Sequence, residues 1–339
     1  SPRELVRLWA HEGLRICADR LVLDEEQEWC SNLIDALAQK YFRQFMDDNT
    51  LARPILFSPY LSKHYASVEL ESFRDYVKAK LVTFAEENTS VQLVLFDSVL
   101  EHIIRIDRIL RQPLGHCLLV GASGVGKTTL ARYVAWMNGQ SIFQIKPGKN
   151  YGLVEFDINL REVMKRAGCK SERVCFIFDE SNILSVSFME RMNALLAGGE
   201  IPGLFEGEEL TSLLSMWREH NSNKRHLTDD EIYHSFTKGV QRNLHVAFTM
   251  NPSNADFSNR STSSPAIFNR CVIDWFGDWS HEALLQVAIE LTARIEFPTN
   301  CKKDSVDFEP SDIVVRLIVH IHEKVKELAA SLRTLGQQS

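Results

Sequence analysis

The stretch GHCLLVGASGVGKTTLARYVAWMN, residues 115–138, constrains this chain more than any other. Within it Gly121, Ala122, Ser123, Gly124, Val125, Gly126, Lys127 and Thr128 fill the pattern G-x-x-x-x-G-K-[ST]. Glycines let the backbone curl so that successive N–H groups point inward at a polyphosphate. The Lys127 ammonium adds a point charge for the β- and γ-phosphates, and the Thr128 hydroxyl is suited to ligate Mg²⁺. Cys117–Val120 reads as a short apolar strand, and Thr129–Trp136 as a helix whose N-terminus faces the anion.

The alternation of strand and helix continues downstream. Ser141–Ile145, Val174–Phe178 and Leu244–Thr249 read as further strands, and Arg270–Trp275 contains a fifth. Helices are expected over Phe156–Ala167, stopped at Gly168, and over Phe188–Ala197, ended by Gly198-Gly199. Residues 200–240 read as a polar insertion followed by a helix from Glu231, with a loop over residues 221–229. The expected fold class is α/β: a five-stranded parallel sheet between helices. Upstream, residues 1–47 have helical apolar spacing, and Pro54 and Pro59 break it. Glu71–Glu87 reads as a helix, Val91–Phe96 as a strand or extended clamp, and a helix capped by Asp97 or Ser98 runs to Ile109. After Ser280 the chain turns helical again, with a long amphipathic stretch over residues 311–335.

A nucleotide-hydrolysing site needs a carboxylate for the metal and a group that orients water. Asp179 and Glu180 end the strand VCFIF, where Asp179 would hold the Mg²⁺ water shell and Glu180 would polarise the attacking water. The competing assignment is that these carboxylates only cap the next helix, as Ser181 or Asn182 also can. Asn251, ending the fourth strand, is suited to bond the γ-phosphate or its water; otherwise Asn251-Pro252 is a plain turn. Arg270 precedes the fifth strand, either as an arginine finger toward a neighbour's nucleotide or as a surface salt-bridge partner.

With 339 residues there is room for two or three domains, and the formal charge of −7 argues against a large nucleic-acid footprint. No apolar run approaches the ~20 residues that span a bilayer. Seven cysteines without metal-ligand spacing read as reduced thiols of a cytosolic protein. The first residue is Ser, not Met, as in an excised piece of a longer polypeptide.

Together these motifs resemble AAA+ ATPases, which assemble as rings. The strings VRLWAHE, LARPIL, YVKAKL, RQPLGH, RYVAWMNG, DESN, ERMNALLAGGEIPGLFEGEE, RNLHVAFTMNPS and SPAIFNRCVIDWFGDWS resemble cytoplasmic dynein heavy chains, in their fourth AAA+ module and the end of the third. The resemblance implies three parts. Residues 1–50 would close the preceding module, 51–290 would form the nucleotide-binding domain, and 291–339 would begin a helical small domain leading toward the stalk. It implies a phosphate loop from Gly121 to Thr129, with Asp179 and Glu180 as the Walker B pair and Asn251 as the first sensor. Arg270 would act on the third module's nucleotide, and residues 93–96 would lie beside the adenine. It also implies ATP or ADP with Mg²⁺, neighbouring AAA+ modules as partners, and intermediate chains, light chains and microtubules through other parts of the full chain. The expected location is the cytoplasm and cytoskeleton, with no nucleic-acid or membrane partner. The second sensor arginine and the next module's finger lie beyond the sequence, so the fragment is expected to bind ATP more readily than it hydrolyses it. The readings in competition are a regulatory motor ATPase module, a structural nucleotide-binding spacer, and an unrelated AAA+ remodeller acting on nucleic acid.

Overall fold

A computed structural model describes residues 1–62, 64–88, 93–221, 227–254, 264–277, 279–293, 295 and 310–336. They fall into two compact units, one of residues 1–93 and 97–276, the other of 94–96 and 277–339.

A five-stranded parallel sheet forms the centre of the first unit. Its strands are β3 (His116–Gly121), β4 (Ser141–Gln144), β5 (Val174–Asp179), β6 (Leu244–Met250) and β7 (Cys271–Phe276), in the order β4-β5-β6-β3-β7. Every residue of β3 and β6 is buried, so both faces are covered and the strands read as unbroken apolar runs. All five strands expected from the sequence are present. The crossovers are helices: α5 (Lys127–Met137), α6 (Leu153–Gly168), α7 (Val186–Gly198), α9 (Asp229–Asn243) and the short α10 (Pro265–Arg270).

One stretch departs from the expectation. The region read as a polar insertion contains α8 (Glu208–His220), whose Leu213, Leu214 and Trp217 enter the main core. Four charged residues in the helix mask that periodicity in the sequence. Thr228 caps α9, and its capping box with Glu231 satisfies two N-terminal donors. Of the loop expected at residues 221–229, residues 222–226 lie outside the described residues. Where α6 meets α9 the backbones nearly touch: a methyl added at Gly239 would lie 2.9 Å from the Gly168 carbonyl oxygen.

Residues N-terminal to the sheet belong to the same unit. The helices α1 (Pro2–Gly13) and α2 (Asp24–Phe42) enclose Ala10, Leu14, Cys30 and Ile34 together with Ile55 and Phe57. A two-stranded antiparallel ribbon, β1 (Phe57–Ser58) and β2 (Ala66–Ser67), leads into α3 (Leu70–Glu87). The α4 helix (Asp97–Leu110) follows, and its Arg108 pairs with Glu12 of α1. Of the expected clamp, residues 93–96 carry no regular element, and residues 91 and 92 lie outside the described residues.

After α4 the chain turns sharply into β3 at Gly115. A methyl there would lie 1.9 Å from the Ile109 carbonyl oxygen and 2.8 Å from that of Gln112, both rigid backbone atoms. Gly115→Ala is expected to destabilise the sheet unit by about 3 kcal/mol, read as a lowered urea midpoint with unchanged slope. A wild-type midpoint would mean that the turn yields.

Parallel strands with returning helices sort the helix ends. The α4, α6, α8 and α9 helices finish around a cavity of about 850 Å³ beside the N-terminal ends of the strands, with Arg111, Arg173, Lys238 and Arg242 in its lining. The glycine loop leaves β3 at the other end.

In the second unit α11 (His281–Thr292) packs on α12 (Pro310–Gly336) through Ala288, Val315 and Val319. Ser280 caps α11, His281 pairs with Glu323 at 2.7 Å, and Gln286 donates to the Leu95 carbonyl at 3.2 Å.

Candidate nucleotide site

The loop from Gly121 to Gly126 leaves the end of β3, and α5 begins at Lys127. Its glycines have separate physical reasons. Gly124 and Gly126 both have φ of 88°, in the left-handed region where a side chain is strained. At Gly121 a Cβ would stand 2.7 Å from Phe276 Cβ on β7, so only a bare backbone passes there. A Cβ at Gly124 would meet nothing within 4 Å, and Ala122, Ser123 and Gly124 are exposed. The loop therefore has open space on its outer side. A Cβ at Gly126 would meet Leu93 Cδ1 at 3.9 Å.

Lys127 is buried and folds back over the loop. Its ammonium donates to the carbonyl oxygens of Gly121 at 2.8 Å and Ala122 at 2.7 Å. An ammonium carries three donors, and these neutral carbonyls take two of them. Burial lowers its pKa, while Asp179 and Glu180 act in the opposite direction. A desolvated cation at the mouth of a curled loop is suited to an anion's oxygens. Thr129 is half-buried in the first turn of α5.

The β6 strand lies between β3 and β5, and this order assembles the rest. Asp179 sits opposite Thr249 in the β5–β6 register, and Leu119 of β3 sits opposite Thr249 on the other side. Asp179 Oδ2 accepts from Thr249 Oγ1 at 2.7 Å and from Thr128 Oγ1 at 3.1 Å. Its other oxygen accepts from the Ser181 N–H at 3.1 Å. Burial pushes the Asp179 carboxyl up, but hydrogen bonds from Thr249, Ser181 and Thr128 outweigh it and hold the pKa below the usual value. The capping assignment and the metal assignment are thus compatible, because each uses a different oxygen. Asn182 fixes the strand end, accepting from the Asp179 N–H at 3.0 Å and donating to the Ile145 carbonyl at 3.2 Å.

Glu180 lies on the turn after β5, facing the end of β6. Its Oε2 accepts from the Asn251 N–H at 2.9 Å, and its Oε1 accepts from Asn254 Nδ2 at 2.6 Å. The Asn251 side chain spans toward the glycine loop, with Nδ2 3.5 Å from Ser123 Oγ, while its Oδ1 accepts from the Ser253 N–H at 3.0 Å. Thr128, Thr249 and Asp179 thus form one hydrogen-bonded group and Glu180, Asn251, Asn254 and Ser123 another, the two meeting where Asp179 and Glu180 are neighbours in the chain, with Lys127 next to Thr128. Arg270 stands apart from them, exposed at the end of α10.

Sequence reasoning passed over two members of these groups. Thr249 interrupts the apolar end of β6, between Phe248 and Met250, at the position opposite the expected metal carboxylate, and that is a readable signal. Asn254 sits in a polar stretch where nothing in the pattern distinguishes it.

Among the described residues no group of three or more His, Cys, Asp and Glu side chains could hold a metal ion. Thr128 and Asp179 could together offer two hard oxygens to a small cation, leaving most of its shell for water and phosphate oxygens, as Mg²⁺ prefers. The loop, the buried ammonium and these two oxygens fit a Mg²⁺–nucleotide. Among the described residues no helix is long and apolar enough to cross a membrane.

Comparison with known proteins agrees with this geometry. The chain is 55% identical over 337 residues to the cytoplasmic dynein heavy chain of Paramecium tetraurelia, 51% identical over 352 residues to that of Dictyostelium discoideum, and 50% identical over 345 residues to that of Drosophila melanogaster. Each alignment covers 98% of this chain and 7% of the relative, so the sequence spans a small part of their length. Residues 91–338 match the family described as the P-loop containing dynein motor region D4. The chain therefore belongs to the dynein heavy-chain motor family, as a P-loop module of its D4 region.

Proposed function

We propose that this module binds Mg²⁺–ATP and hydrolyses it slowly, or only when a neighbouring module completes the site, so that it regulates the motor more than it drives it. The observation that carries this reading is the Asp179 carboxylate, shared by the Thr249 hydroxyl and that of Thr128, the residue next to Lys127. When bound, Mg²⁺–ATP brings the γ-phosphoryl group and the charge that these residues oppose. Gly121 to Thr129 cradle the phosphates through backbone N–H groups, and Lys127 exchanges loop carbonyls for phosphate oxygens. Thr128 and Asp179 hold the metal, Glu180 takes the proton from the attacking water, and Asn251 holds that water or the γ-phosphate. Arg270 has no part in this chain's own chemistry and acts on the nucleotide of the preceding module.

Within a full heavy chain, residues 1–50 close the preceding module, 51–290 form the nucleotide-binding domain, and 291–339 begin the helical small domain toward the stalk. The partners are then the neighbouring modules, with intermediate chains, light chains and microtubules bound elsewhere on the chain, and the location is the cytoplasm and cytoskeleton. A structural spacer that keeps its nucleotide is the second reading. The two hydrogen bonds that occupy both Glu180 oxygens favour it.

The discriminating experiment loads the protein with Mg²⁺–ATP, removes free nucleotide and measures the ATP:ADP ratio of what stays bound over hours. Wild type is expected to convert its ATP slowly and Glu180→Gln to keep it intact, about a hundredfold slower. Equal conversion by the two proteins would remove Glu180 from the chemistry and leave the spacer.

A further inference from the structure

Thr249 places a hydroxyl at the buried end of β6. It is 2% exposed and stands between Phe248 and Met250, in a strand buried along its whole length. Valine has nearly the same shape, suits a strand equally well and brings no hydroxyl to desolvate. Packing therefore does not call for threonine there. What the hydroxyl gains is its bond to Asp179 Oδ2, at 2.7 Å. The register produces this bond: Asp179 is the partner of Thr249 across β5 and β6, so both side chains leave the sheet on one face. Because β6 lies between β5 and β3, the bond draws the carboxylate toward the strand that feeds the glycine loop. On that side Thr128 Oγ1 donates to the same oxygen at 3.1 Å. The other oxygen is held by the Ser181 N–H at 3.1 Å. Of the two hydroxyls on Oδ2, Thr128 belongs to the proposed metal site. Thr249 is buried in the sheet and keeps its place whether that site is filled or empty.

We infer that Thr249 positions the metal-binding carboxylate: its hydroxyl fixes the Asp179 oxygen that faces Thr128, and the Mg²⁺-dependent part of ATP binding rests on that oxygen being fixed. This role presupposes the proposed function and adds to it a positioning residue that acts on the metal only through Asp179. A carboxylate free to rotate about its side-chain bonds must be ordered each time a metal arrives, and the ordering costs affinity. A hydrogen bond from a buried strand removes that cost in advance, as partners of metal ligands commonly do. Phosphate binding by the loop amides and Lys127 does not pass through Asp179, so it is independent of Thr249.

The test uses the whole chain and ATP as the probe, with affinity measured by equilibrium binding in excess Mg²⁺ and again in EDTA. Thr249→Val, which keeps the shape and loses the hydroxyl, is expected to weaken binding about tenfold in Mg²⁺ and to leave it within about twofold in EDTA. The free Mg²⁺ concentration that half-saturates binding should rise by about the same tenfold. Thr249→Ser, which keeps the hydroxyl, should return both quantities toward wild type. In an Asp179→Asn background the valine substitution should add no further loss. If the valine chain does not fold, Thr249→Cys, with its weak S–H donor, carries the same comparison and should lose affinity in Mg²⁺ alone. Four results overturn the role: wild-type affinity in Mg²⁺ for Thr249→Val, an equal loss in Mg²⁺ and EDTA, no recovery with serine, or a loss that persists beside Asp179→Asn. Wild type whose ATP binding ignores Mg²⁺ overturns the proposed function itself, so the two failures are told apart by the unmutated protein.

Discussion

Lys127→Ala loses the stabilisation that Mg²⁺–ATP confers while keeping the fold. At a ligand concentration a hundred times Kd, wild type should gain about 2.7 kcal/mol, a rise of several degrees in Tm, and the variant should gain none. The structure gives the reason on both sides. In the protein alone the ammonium is desolvated and bonded only to the neutral carbonyls of Gly121 and Ala122. Losing it there removes two hydrogen bonds and one buried charge together, and these effects oppose each other, so the unliganded Tm should move by no more than about 1 kcal/mol equivalent. With a polyphosphate on the loop the same group meets full negative charge. Thermal unfolding with and without Mg²⁺–ATP checks both halves, and equal shifts in the two proteins would show that the nucleotide sits elsewhere.

Asp274→Ala should destabilise the sheet unit by about 3 kcal/mol, the cost of an unsatisfied buried donor and a lost charge-assisted hydrogen bond, seen as a loss of urea midpoint. Asp274 is buried on β7, where His102 Nδ1 donates to it at 2.8 Å and Arg105 Nη1 at 3.3 Å, both from α4. His102 also stacks on Phe276, with ring centroids 4.0 Å apart. Truncating the carboxylate leaves the buried His102 imidazole without its acceptor and takes from Arg105 one of three acidic partners, Glu101 at 3.0 Å and Asp19 at 3.8 Å remaining. Burial alone would push the Asp274 carboxyl up, but His102 and Arg105 outweigh it and hold the pKa below the usual 3.8. A depressed carboxylate contributes stability that is present above the unfolded pKa and lost as pH falls through the folded one. The wild-type advantage over Asp274→Ala should therefore be constant near neutral pH and shrink as acid is added below about pH 4. An advantage that persists unchanged below that range would remove charge from the explanation.

Much of the fold was legible because its signals are local. The strands β3, β5 and β6 are short apolar runs bounded by polar residues, and Gly198-Gly199 stops α7 with Gly199 at a φ of 71°. The glycine loop carries its own conformational requirement in Gly124 and Gly126. What escaped the sequence depends on partners far along the chain. The α8 helix hides its buried face among charges and is recognised only when Leu213 and Trp217 meet the core. Thr249 joins the site through the β5–β6 register, 70 residues from Asp179. Asn254 reaches Glu180 across 74 residues, by a turn whose shape no pairwise spacing encodes. The buried His102–Asp274 pair, 172 residues apart, belongs to the same class.

The cavity at the far edge of the sheet has one more meaning. Each of the four helices that finish there carries roughly half an electron's worth of negative charge on its outward carbonyls. Arg111, Arg173, Lys238 and Arg242 line the cavity at which those termini end, so their positive charge offsets it, and Arg111 is paired with Asp107 at 2.8 Å. This cationic rim is an internal neutralisation of the scaffold. The net field at this end of the sheet is therefore smaller than a count of its basic side chains suggests.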